Sequence, residues 1–208
     1  MEIKYSLNFW NLYLYIFLLV YLNFLLKDSI LPTKICISIN SKSLGYTLFP
    51  QDDEDLLMKT TINNLLIEIM ILYAGRQSEK VFLNEVTCGA EDDYMKARKI
   101  LKRLLMNGML VSEYNLIENS NSSDSKIPDY IEKKITLINK KIVEYVKGLL
   151  EDNSIIVKQT ANKIIESNSI VDTDIFDIFN QNNMTEKIGS FDILTLYYDI
   201  KKNVINCK

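Results

Sequence analysis

The 208-residue sequence contains no histidine, so it lacks both the commonest metal ligand and the commonest general base. Whole reaction classes are excluded by that single absence. Cysteine is sparse as well: Cys36, Cys88 and Cys207 are odd in number, far apart and without C-x-x-C spacing. They indicate neither a disulfide framework nor a thiolate zinc site, and a reducing compartment is compatible with them. There is no excess of charge of one sign. The 24 basic and 27 acidic residues leave a net charge of -3, and the Lys-rich stretches also carry Glu, so no electrostatic footprint for nucleic acid is present. No G-x-x-x-x-G-K-[ST] string occurs, which excludes ATP hydrolysis through that phosphate-cradling loop. No internal repeat is evident.

What is present is ordinary globular material, 48% hydrophobic and 25% charged, in a length suited to one substantial core. Residues 7–26 form a nearly continuous apolar and aromatic run ending at Lys27-Asp28. About 20 such residues are enough to span a bilayer as one helix. The same run also suits a helix buried on all sides in a soluble core. A cleaved signal peptide fits poorly, because the basic start is weak and no small-x-small site follows Leu26.

The β-branched run after Pro32 and the segment through Phe49 predict a two-stranded element at Lys34 to Phe49 with a polar connection. Helical spacing predicts a helix from Asp55 to Ala74, ended by Gly75. A second helix is expected from Glu91-Asp92-Asp93, whose acids suit the positive end of the helix dipole, to a stop at Asn107-Gly108. Its apolar face is Met95, Ile100, Leu101, Leu104 and Leu105. Residues 118–129 read as a polar loop. Long amphipathic helices are expected over Tyr130 to Asp152 and Ser154 to Ser167, and a short one capped by Asp172 or Thr173. Residues 184–208 form a carboxy-terminal extension with apolar groups enough for one docked helix, following a first domain over residues 1–183.

The strings Leu44-Gly45-Tyr46-Thr47-Leu48, Tyr73-Ala74-Gly75-Arg76-Gln77-Ser78-Glu79 and Glu85-Val86-Thr87-Cys88-Gly89-Ala90-Glu91-Asp92-Asp93, with Ala97-Arg98 after them, occur in order. This pattern resembles the peptidase domain of the FtsH-type ATP-dependent zinc metalloproteases, from about the first residues to about Asn180. The resemblance implies a mainly α domain with a small β element. It also implies a zinc site built on a helical H-E-x-x-H, with an Asp after the third string as the remaining ligand.

Counted without a gap, that motif falls on Tyr15-Ile16-Phe17-Leu18-Leu19. Leu19 has no lone pair for zinc, Ile16 cannot accept a proton, and Tyr15 is a poor lone ligand. Asp93 matches the remaining ligand, but a single carboxylate does not hold catalytic zinc, so the expectation is no catalytic residue, no metal and no cofactor. Asp93 then serves as part of an acidic helix start. Gly75, Arg76 and Glu79 are expected to cap and brace a helix end.

The resemblance also shifts residues 7–26 toward a core helix, since a vacated polar site can be filled by apolar packing. Membrane contact through them is the alternative. The chain is expected to start within the motif helix, without the family's ATPase module. The reading that follows is a catalytically inactive relative acting as a structural or assembly subunit, with FtsH-like subunits as partners and no nucleic acid. The alternatives are a small membrane-anchored helical protein and a family member with residual activity. An organellar membrane setting, mitochondrial or plastid, follows from the resemblance alone.

Overall fold

The computed structural model describes residues 34–40, 43–48, 61–86, 91–110, 129–167, 169–182 and 193–206. The run at residues 7–26 with Tyr15, Ile16 and Leu19, the polar stretch 118–128, Cys88 and Cys207 lie outside the described residues. Asp129, expected in the polar loop, is instead the first residue of a helix.

The protein is mainly α with one small sheet. Strands β1 (Lys34–Asn40) and β2 (Ser43–Leu48) pair antiparallel, Lys34 opposite Leu48 and Ile37 opposite Gly45. A third strand, β3 (Ser169–Val171), pairs antiparallel with the other edge of β1, giving the order β2-β1-β3. Three residues are too short a run to announce a strand on their own. Lys34 to Cys36 supply the backbone partners, and β3 leads straight into the following helix.

Helix α1 (Ile62–Ser78) is the centre of the molecule. It begins at Ile62 rather than Asp55, because Thr61 is extended and its hydroxyl accepts the Asn64 N–H at 3.3 Å. A capping hydroxyl of this kind satisfies one of the amides that have no partner inside a helix. Leu66, Ile69, Met70 and Tyr73 are essentially inaccessible, and buried residues point to more than one side. That distribution fits a helix sandwiched by neighbours. Nor does the helix stop at Gly75. A side chain there would meet no atom within 4 Å, so the glycine marks no close approach. The chain runs on through Ser78 into a π-helical turn, Glu79–Leu83, and stops at Asn84, whose φ of 54° is left-handed. Asparagine is among the few non-glycine residues that adopt this conformation readily.

Helix α2 (Glu91–Met106) has the expected bounds, and Gly108 behind it takes φ 66°. The Met109 N–H donates back to the Leu104 carbonyl at 3.0 Å, the kind of contact that closes a helix end with a left-handed glycine. Ala97, Leu101, Leu104 and Leu105 form its buried face, whereas Met95, assigned to that face from spacing, is 65% exposed. Helix α3 (Asp129–Asp152) buries Ile131, Ile135, Ile138, Ile142, Val146 and Leu150. Each such side chain is worth about 1.5–3 kcal/mol when fully removed from water.

Helix α4 (Ser154–Ser167) follows, and β3 separates it from α5 (Asp172–Gln181). The residue at the capping position of α5 is Val171, not Asp172 or Thr173. The Asp174 carboxylate accepts the Val171 N–H at 3.2 Å, half of a capping box. Helix α6 (Ile193–Asn206) docks against α3 and α1 through buried Leu196 and Ile200, while Tyr198 faces out. Among the described residues no helix is long and apolar enough to cross a membrane.

Candidate functional site

The first turn of α2 and the second half of α1 bring polar side chains together. Asp93 sits in that first turn with its side chain 30% exposed and its carboxylate 3.9 Å from the Lys96 ammonium. Burial raises the Asp93 carboxyl above the ordinary carboxylate range; Lys96 opposes the shift and Asp92 adds to it. A catalytic zinc wants three protein ligands and an open position. The sequence has no histidine to supply, and the described residues hold no group of three His, Cys, Asp or Glu placed for a metal. The described donors around Asp93 therefore do not by themselves fit such an ion.

Because the native Asp93 holds its proton more tightly than an unfolded chain would, its stabilising contribution is present at low pH and is lost as pH rises through the folded value. Ionised Asp93 is then a small liability at neutral pH. Asp93→Asn should raise the melting temperature slightly at pH 7, and the two proteins should converge as the pH falls below the carboxylate range. A clear loss of stability at pH 7 would show that the carboxylate makes a contact this account lacks.

A second cluster is built on Tyr73 of α1 and Tyr94, the residue after Asp93. Tyr73 is buried, and its hydroxyl donates a short hydrogen bond to Asn139 Oδ1 across 66 residues of sequence. Its ring meets Tyr94 with centroids 4.7 Å apart and planes tilted by 54°, within the range preferred by aromatic pairs. The Arg76 guanidinium lies over the Tyr94 ring at 4.5 Å, a cation–π contact. Gln77 Nε2 donates to the Tyr94 hydroxyl at 3.1 Å. Burial pushes the Tyr73 phenol well above its ordinary value and raises that of Tyr94 as well. At Tyr73, Tyr94 adds to the effect and Arg98 opposes it; at Tyr94, Gln77 and Arg76 oppose it. Both tyrosines accordingly stay neutral and act as hydrogen-bonding groups.

Arg98 closes the cluster on the α3 side, its Nη2 donating to both Glu132 oxygens at 2.6 Å. With side chains 46% and 32% exposed, the pair is worth about 0.2–1 kcal/mol. Between α1, α2 and α3 these residues leave a cleft of about 240 Å³, bounded by Tyr73, Arg76, Tyr94, Arg98 and Asn139, with Glu91 and Met95 also lining it. Arg76 lies in the last turn of α1 and Glu79 is its capping residue, although the chain continues from there as a π-helical turn rather than stopping. Glu79 is buried at the start of the π-helical turn. The tyrosine pair, Asn139 and Glu132 were not singled out from sequence. The one clue available was that Tyr73 and Tyr94 lie within segments expected to be helical.

Residues 21–178 match the model described as peptidase family M41. The match opens just past Tyr15 to Leu19, where the ungapped count sets the metal motif. Among similar proteins, the ATP-dependent zinc metalloprotease FtsH 2 of Thermoanaerobacter sp. (strain X514) is 33% identical over 151 residues, covering 66% of this chain and 29% of that protein. The ATP-dependent zinc metalloprotease FtsH of Helicobacter pylori (strain J99) is 29% identical over 158 residues, covering 73% and 23% respectively. FtsH 3 of Phytoplasma mali (strain AT) is 27% identical over 150 residues, covering 72% and 24%. The chain thus spans less than a third of the length of these relatives.

Proposed function

Since the chain belongs to peptidase family M41, we propose that it is a noncatalytic member of the family that serves as a structural or assembly subunit of a larger complex. The observation that carries this reading is the absence of histidine from all 208 residues. A helical H-E-x-x-H site needs two imidazoles one turn apart and a glutamate between them to activate the zinc-bound water. No shift of alignment can supply them from this sequence. Tyr15, Ile16 and Leu19 stand where the family motif is counted, and Asp93 alone keeps a ligand's chemistry.

Loss of the metal chemistry leaves the scaffold intact. The core of α1, α2 and α3 is closely buried, and the order of the family strings is kept from Leu44 to Arg98. A chain that keeps the scaffold of a peptidase without its catalytic ligands has its surface left to act with, and the partners best matched to that surface are FtsH-like subunits. Native material purified gently should therefore run as an oligomer or larger complex in size-exclusion with light scattering. Crosslinking with mass spectrometry should name a peptidase-family neighbour. A monodisperse monomer without a copurifying protein would defeat the assembly reading.

A further inference from the structure

The hydrogen-bond inventory of the cleft between α1, α2 and α3 is unbalanced. Arg98 carries N–H groups on three nitrogens, and Glu132 occupies only Nη2. Among the described residues Nε and Nη1 have no acceptor. The Asn139 carbonyl is taken by the Tyr73 hydroxyl, which leaves both amide hydrogens of Nδ2 without an acceptor among the described residues. Tyr94 accepts from Gln77, so its own hydroxyl proton is likewise available. Donors thus outnumber acceptors at the cleft, where Glu91 is the sole carboxylate in the lining.

Shape and charge narrow the ligand. The Tyr94 ring and the exposed Met95 side chain offer an apolar wall beside these donors. About 240 Å³ admits a body the size of one large side chain, not a nucleotide. Arg76 and Arg98 are balanced in part by Glu91 and Glu132, which suits a singly charged group better than a phosphate dianion. The geometry points to a binding site for a carboxylate carried on a compact aromatic body, the carboxylate accepting from Arg98 and Asn139 and the ring lying against Tyr94 and Met95. Such a group is offered by a free aryl acid or by the carboxy-terminal residue of a polypeptide. The inference stands apart from the assembly role.

The test is calorimetric titration of the full chain with 3-phenylpropionate, with 3-phenylpropionamide, with inorganic phosphate, and with acetyl-Ala-Ala-Phe bearing a free carboxylate. Saturable binding of the acids is expected, with the amide and phosphate weaker by about tenfold or more, the scale of one charge-assisted hydrogen bond. Tighter binding of the peptide acid than of phenylpropionate identifies a chain terminus as the source; the reverse order identifies a free acid. Asn139→Asp keeps the acceptor for Tyr73 but replaces the spare donor with a negative charge, and should abolish binding. Arg98→Gln, at a more exposed position, serves where Asn139→Asp fails to fold, and should weaken the acids without changing the amide. Equal binding of acid and amide, no saturable binding of either acid, or acid binding untouched by Arg98→Gln would overturn the inference.

Discussion

Leu66→Lys should leave the protein unfolded at room temperature. Leu66 is completely inaccessible in the second turn of α1, the helix on which α2 and α3 pack. An ammonium there would lose its hydration, and removing a charge from water without a partner costs several kcal/mol. Against a typical net stability of about 5–15 kcal/mol, that loss adds to the apolar contacts forfeited by the leucine. Leu66→Ala is the graded version, expected to cost about 2–5 kcal/mol by lost transfer energy and a residual cavity. Urea denaturation followed by circular dichroism separates the two: a cooperative but earlier transition for the alanine variant, no cooperative transition for the lysine variant. A Leu66→Lys protein that melts like the parent would show that α1 is not the centre of the core.

Much of this fold could be read from the residues. The acids at 91–93 and Gly108 bracket α2 because a helix dipole and a left-handed stop each ask for a particular residue type. The stripe from Ile131 to Leu150 marks α3 through its spacing alone, and the strands near Lys34 and Tyr46 follow from β-branched and aromatic residues beside a polar turn. Local chemistry failed where tertiary structure overrode it. Gly75 resembled a stop but lies in a helix held by packing on several sides, and the chain ends that helix at Asn84 instead. Strand β3 exists only because β1 offers an edge to Ser169 to Val171, which no local pattern announces. Met95 has the spacing of a core residue but sits at the rim of a cleft.

The cleft itself was invisible for a similar reason. Tyr73, Tyr94 and Asn139 come from three helices, and their partnership depends on how α1, α2 and α3 are packed rather than on any short motif. The absence of histidine was the reverse case. It could be read at once, since no arrangement in space can supply a residue type that the chain does not contain. Asp93 illustrates both sides: its position was legible from the string before it, while the burial that raises its carboxyl required the structure.

The most direct test of the central claim is elemental analysis of the purified full chain, with the same sample assayed for casein cleavage. The account predicts no stoichiometric zinc after dialysis against a weak chelator, and no cleavage above that of a blank preparation when zinc is added back. Without imidazole ligands and the intervening glutamate, zinc has neither the three-ligand site it requires nor a base to activate its water. One tightly held zinc per chain, accompanied by proteolysis that a chelator abolishes and zinc restores, would contradict the account.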